Sequence, residues 1–324
     1  MSMRFSIRQV SLFATFILLT LALSLTRAYA TTITVGKTPI GIAFDSHLNE
    51  VFVANYYSNT VSVISDTTNT VIRTITGFSY PTGVAFDQHK NEVFVTNEGP
   101  TPGTVSVISD TTNRVTATIT VGSDPAWLAF DAHTNEVFVA NDGATTVSVI
   151  SDATNRVAGT ITVGSEPYGV AFDSTKYEIF VTNYGSNTVS VISDQTNTVT
   201  KTIKVGGEPI GIDFDPNTNE LFVANSQSNT VSVISDATDK VTATITVGES
   251  PGGVAFDSHL NEVFVANSLS NTVSVISDTT NTVTRTIRGF NFPFGVAFDP
   301  KEEVFVVNSI LQLDQIGFVS VLPG

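Results

Sequence analysis

The side chains best suited to chemistry recur at fixed places instead of gathering in one motif. All four histidines, His47, His89, His133 and His259, stand two residues after the aspartate of an "AFD" phrase. Imidazole is both a metal ligand and a general base, but a site needs its members together. Equivalent points of stacked sheets lie on the order of 10 Å apart, while one metal holds its ligands at about 2 Å. The histidines therefore read as four copies of one turn residue, not as one metal centre. Six aspartates, Asp66, Asp110, Asp152, Asp194, Asp236 and Asp278, repeat in the phrase "SD[TAQ]T[ND]", where they are expected to accept hydrogen bonds from nearby turn amides. "DFDPNTNE", Asp213 to Glu220, has the spaced acids of a calcium loop but lacks its central glycine and its closing glutamate. There is no cysteine, hence no thiolate site, disulfide or haem-attachment motif, and there is no phosphate loop.

The remaining candidates sit in short segments ending at a proline. "GSDP", "GSEP", "GGEP" and "GESP" carry Asp124, Glu166, Glu208 and Glu249, an acidic arc. "GFSYP" and "GFNFP" carry Phe78, Tyr80, Phe290 and Phe292 instead, and Phe294 follows the second of these. Tyr56 and Tyr57, with Lys37 nearby, and the insertion "SILQLDQIG" with Ile310, Leu311 and Leu313 add to the aromatic and apolar side. Two further departures stand out: Trp127, the single tryptophan, and Asp213. Clustered aromatics beside charge suit a contact with protein, glycan or peptide. The acids offer the oxygen ligands that calcium takes.

A repeat positions all of these. The phenylalanine of "VFVAN" falls at Phe52, Phe94, Phe138, Phe180, Phe222, Phe264 and Phe305, in steps of 42, 44, 42, 42, 42 and 41 residues. Each copy holds four runs with strand chemistry, A ("GVAF"), B ("EVFVAN"), C ("TVSVIS") and D ("VTATITV"), rich in Val, Ile, Phe and Thr and separated by Asn, Asp, Ser and Gly turn formers. That is one blade of a β-propeller. A linear solenoid is the alternative, with shorter coils and one-way strand order. Strand A carries Gly41, Gly83, Gly169, Gly211, Gly253 and Gly295, as the innermost strand of a radial sheet requires; Trp127 replaces that glycine in copy 3 and Asp213 replaces the alanine two places on in copy 5. The fold class is therefore all-β, a seven-bladed propeller of four antiparallel strands per blade. Copy 7 lacks strand D, and "TTITVG", Thr31 to Gly36, matches it. The first strand is expected to complete the last blade and close the ring.

The phrase "EIFVTNYGSNTVSVISDQTNTVTKTIKVGGEPIGIDFD", Glu178 to Asp215, resembles the YVTN family of β-propeller repeats, with "FVTN" at Phe180 to Asn183 at the place of the signature. The resemblance extends over residues 31–324. It implies exported or cell-surface propellers, many in archaeal surface-layer proteins, most without an assigned activity. Relatives by fold include lactonases and a lyase.

Residues 1–30 read as a signal peptide: Arg4 and Arg8, then the apolar "SLFATFILLTLALSL", then Ala28-Tyr29-Ala30 as the cleavage pattern. An uncleaved membrane anchor is the rival reading. Removing Arg4, Arg8 and Arg27 leaves 12 basic against 30 acidic residues. This excludes nucleic-acid binding through phosphate neutralisation and favours cationic partners. The expectation is a secreted or cell-surface binding or scaffold module, a monomeric ring without a transmembrane segment after cleavage and without a resident cofactor. Its contact site would be the upper rim around blades 7, 1 and 2, with a cell-envelope protein or glycan as partner. The alternative is a lactonase- or lyase-like enzyme using Asp213, Glu166 and Glu208 in the channel mouth.

Overall fold

A computed structural model describes residues 31–99, 101–301, 303–309 and 315–323. The signal segment, residues 1–30, and Ile310, Leu311 and Leu313 lie outside the described residues. Blade 1 sets the pattern: strand A Pro39–Asp45, B Glu50–Asn55, C Thr60–Ser65 and D Thr70–Thr76. Seven such four-stranded antiparallel sheets follow one another, each in the order A-B-C-D. In the last sheet strand A is Pro293–Phe298, B is Glu303–Asn308 and C is Ile316–Pro323. Thr31–Lys37 pairs with that C strand, Ile33 opposite Val319, and so serves as strand D. The expected closure is thus the observed one, and it removes the free sheet edge at the seam. Among the described residues no helix is long and apolar enough to cross a membrane.

The alternation of the strands decides what packs. The strand-B phenylalanines, Phe52 through Phe305, are fully or almost fully buried. They fill the wedge between neighbouring blades: Phe52, Val61 and Val63 of blade 1 pack with Val84, Val93, Val95 and Ile108 of blade 2. Ile33 and Val35 of the closing strand pack with Val51, Val53, Phe305 and Val319. Burying one such side chain stabilises by about 1.5–3 kcal/mol. Near the axis there is no such room. A Cβ on Gly41 would lie 2.0 Å from the Thr82 carbonyl oxygen of the next blade, which explains the repeated glycine.

Turns use the asparagines. Asn49, Asn91, Asn135, Asn219 and Asn261 take a left-handed conformation in the A–B turns, and Asn69, Asn113, Asn155, Asn197 and Asn281 in the C–D turns. Asparagine tolerates that region better than most side chains. The strand-B asparagine acts differently. Asn55 Oδ1 accepts from Gly36 N, and its Nδ2 donates to Thr60 and Ser62. It is buried, and Asn141 and Asn183 repeat the arrangement, clamping the end of the preceding D strand to strands B and C.

Candidate functional site

Seven residues just before the strand-A prolines, Thr38, Tyr80, Asp124, Glu166, Glu208, Ser250 and Phe292, all have φ between 48° and 52°. Left-handed backbone is unusual for such residues, more so before proline. Local bonds hold it. The carbonyl of each accepts from the residue that follows the strand-B asparagine: Tyr56, Glu98, Asp142, Tyr184, Ser226, Ser268 and Ser309. Asparagines Asn59, Asn187, Asn229 and Asn271 accept from the amides of Tyr80, Glu208, Ser250 and Phe292 at 2.7–2.8 Å. The D–A and B–C loops of the upper face are therefore one rigid frame, and only its side chains differ from blade to blade.

Those differences divide the ring. After the strand-B asparagine, blades 1 to 4 present Tyr56, Glu98, Asp142 and Tyr184, while blades 5 to 7 present serines. Two of the serines turn into the seams, Ser268 Oγ to the Pro293 carbonyl at 2.8 Å and Ser309 Oγ to the Pro39 carbonyl at 2.5 Å. The larger groups remain partly exposed. Burial, with Glu166, Glu98 and Asp124 nearby, pushes the Asp142 carboxyl up to about 6. Burial and a hydrogen bond with Glu208 push the Tyr184 hydroxyl up to about 12, and burial with Glu98 raises Tyr56 further.

At the centre an irregularity in strand A recurs between Pro39 and Ile42 and at its counterparts in all seven blades. The residue after the proline lies within it: Ile40, Thr82, Ala126, Tyr168, Ile210, Gly252 and Phe294. Trp127 stacks on Tyr168 with centroids 5.2 Å apart and meets Phe294, from across the channel, at 5.7 Å. Gly252 makes room, since a Cβ there would touch the Phe294 ring at 3.2 Å. The three rings share the lining of a channel cavity of about 50 Å³ with Ile42, Ile210 and Ile212. Tyr168 also feels the charges of Asp142 and Glu98 and the hydroxyls of Tyr184 and Tyr56. The aromatic centre and the carboxylates of Asp142 and Glu98 form one mouth.

The sequence-chosen residues fare unevenly. Trp127 and Phe294 line the channel cavity. Tyr56, Tyr57 and Tyr80 form a cluster, with centroids 5.0, 5.1 and 6.4 Å apart, and the latter two are exposed. Phe78 and Phe290 are a correction: both are buried, 7% and 8% exposed. Gly77 and Gly289, at φ 103°, precede them, and the phenylalanines fold back into the inter-blade core. Phe292 keeps partial exposure. Asp124, Glu166 and Glu249 are exposed, and Glu208 accepts from Gln227 at 3.0 Å. Asp213 lies apart from the arc as a strap between blades 5 and 6, accepting from Phe214 N at 3.0 Å and Phe256 N at 2.8 Å. Burial pushes its carboxyl up to about 6. Among the described residues, Asp213, Glu166 and Glu208 do not meet as ligands of one ion. Tyr168, Asp142, Glu98 and Tyr184 were missed, although each shares a repeat position with a residue that was chosen.

On the lower face the repeated aspartates have a role that differs from the expected one. Asp110, Asp152 and Asp194 accept from the His47, His89 and His133 rings of the preceding blade at 2.6–2.7 Å. Asp236 accepts from Thr175 at 3.0 Å, and Asp66 from Lys301 at 2.8 Å. They join blades instead of capping their own turns; capping falls to the strand-A aspartates, as when Asp45 Oδ1 accepts from His47 N and Leu48 N. Blade 7 has no C–D turn, and His259 instead lies beside Phe298 at 5.8 Å.

A family model described as a YNCE-like β-propeller matches residues 216–319, roughly a third of the chain. A chain in the solved structure of Kuenenia stuttgartiensis hydrazine synthase superposes with a TM-score of 0.76 at 15% sequence identity, covering 90% of this chain and 97% of that one. No curated protein matches the sequence. Likeness at that identity shows the fold and not the chemistry. By sequence over blades 5 to 7 and by fold around the ring, the chain is similar to known β-propellers, and its ligand has to be argued from the mouth itself.

Proposed function

We propose that this is an exported, cell-surface binding module of the YVTN type, not an enzyme, and that its upper face takes a basic segment of a cell-envelope protein. The observation that carries this reading is the mouth. Rings at Tyr56, Trp127, Tyr168 and Tyr184 adjoin carboxylates at Glu98 and Asp142. Aromatic faces beside carboxylates favour an ammonium or guanidinium group, by about 0.5–2 kcal/mol per ring contact. The net charge of −15 attracts such a partner from a distance. The exposed Tyr57 and Tyr80 extend the surface toward blades 1 and 2. The apolar run from Ser11 to Leu25 supports export.

Calorimetry with a lysine- and arginine-rich peptide tests the proposal. Saturable binding that weakens at least tenfold in Asp142→Asn and in Tyr168→Ala, with the fold unchanged, supports it. Binding indifferent to both substitutions contradicts it.

A further inference from the structure

Among the described residues, only one group of three or more His, Asp, Glu or Cys side chains brings a ligand atom from each within 4.8 Å of the others: Asp87, His89 and Asp152, at the seam between blades 2 and 3 on the lower face. We infer that this seam binds one divalent transition-metal cation of the Zn2+ or Mn2+ type. Two carboxylates and one imidazole suit such an ion better than calcium, which seeks six to eight oxygens.

Asp45, Asp173, Asp257 and Asp299 share the unpartnered Oδ2 of Asp87, so it is the combination of Asp87 with the Asp152 side chain that separates this seam from its neighbours. Asp87 is fully buried; its Oδ1 accepts from His89 N and Lys90 N, and its Oδ2 has no partner. An unpaired buried carboxylate oxygen is costly, and a cation would satisfy it. In blade 3 the matching oxygen, Asp131 Oδ2, already accepts from Thr134 at 2.7 Å. At the seam between blades 1 and 2, Thr111 donates to Asp110 Oδ1 at 2.9 Å, whereas Ala153 stands in that place beside Asp152. His89 Nδ1 lies 2.7 Å from Asp152 Oδ2, and the ring is 54% exposed beside a buried acid. A metal between them would replace the proton they share and push the two atoms to about 3.3 Å, a swing the exposed ring is free to make. Exposure of that ring also leaves coordination positions open to water or a further ligand.

Local charge points the same way. Glu92 feels the charges of Asp87, Asp152 and Lys90, so three carboxylates face one ammonium. Lys90 Nζ donates to the Asp152 carbonyl. This lysine is the one feature that opposes a cation, and it gives a test that a merely structural cluster would not pass. Leu48 and Leu260 occupy its position in blades 1 and 6.

The experiment is calorimetry and thermal melting of the ring with ZnCl2, MnCl2 and CaCl2, each alone. One equivalent of Zn2+ or Mn2+ is expected, with a rise in Tm that grows with metal concentration. His89→Ala and Asp87→Asn, the latter keeping an oxygen for the turn amides, should each weaken binding at least tenfold. His133→Ala should leave it unchanged, and Lys90→Leu should tighten it severalfold. Absence of saturable binding, or binding that survives His89→Ala, or a preference for Ca2+, overturns the inference.

Discussion

The two faces of the ring are built from the same repeat and behave in opposite ways. Below, the A–B turn of one blade reaches the C–D turn of the next through a side-chain pair that changes little: His47 with Asp110, His89 with Asp152, His133 with Asp194. Above, the backbone bonds are constant and the side chains change, from Tyr56, Glu98, Asp142 and Tyr184 to three serines. Repetition of side chains marks joints between blades; repetition of backbone with variation of side chains marks a surface free to specialise. Variation within a repeat is informative only once the frame that holds it is known.

The largest effect should come from the seam that holds both faces together. Deleting Thr31–Val35 removes strand D of blade 7 and exposes the ground packed by Ile33 and Val35. A loss of about 5 kcal/mol is expected from two buried aliphatics and their ladder, read by chemical denaturation. A ring as stable without the strand would show that closure contributes little.

The upper face should respond in binding with little change in folding. Tyr57→Ala, at an exposed position, is expected to change stability by less than about 0.5 kcal/mol while weakening the basic peptide severalfold. A large drop in Tm would make Tyr57 a packing residue and blur the contrast between the faces.

Asp213 sharpens the comparison from the seam between blades 5 and 6. Its carboxyl is raised by burial to about 6 in the folded ring, against about 3.9 in an unfolded chain. The folded state therefore holds the proton more tightly, and ionisation costs stability as pH rises from about 4 to 6. Asp213→Ala supplies the residue found at Ala43, Ala85, Ala129, Ala171, Ala255 and Ala297. Relative to the natural protein, this variant should gain about 1–3 kcal/mol across that interval, measured by denaturation at pH 4 and pH 7. A difference that does not vary with pH would mean that the carboxyl titrates normally.

The smallest effect belongs to a lower-face joint. The hydrogen bond to Asp110 raises the pKa of His47, so its contribution is complete below about pH 6.5 and fades as pH rises through the folded value. His47→Ala should lower Tm more at pH 5.5 than at pH 8.5. Equal losses at both would leave the joint without an ionic component.

Much of this was legible in the sequence, and the gaps have physical causes. Seven copies of "VFVAN" and the stray "TTITVG" sufficed for blade number, strand order and closure, because strand alternation and turn residues act locally. Phe78 and Phe290 were misplaced because a glycine at φ 103° reverses the direction of the next side chain, and loop composition does not reveal direction. The aspartate–histidine joints escaped notice because their partners sit 61 to 63 residues apart and meet only when blades stack. Tyr168 was hidden by the repeat itself: it occupies the place of Phe294, but only the closed ring brings both to Trp127.

Trp127 is the single tryptophan and lies at the mouth, so its emission reports on that site alone. The most direct measurement is a titration of the protein with tetramethylammonium, followed by tryptophan fluorescence at pH 8 and at pH 5. The mouth described here requires saturable quenching or a spectral shift at pH 8 that weakens at pH 5, as Asp142 protonates near 6. An emission unchanged by the cation at pH 8, or a response identical at both pH values, would contradict a cation-binding mouth.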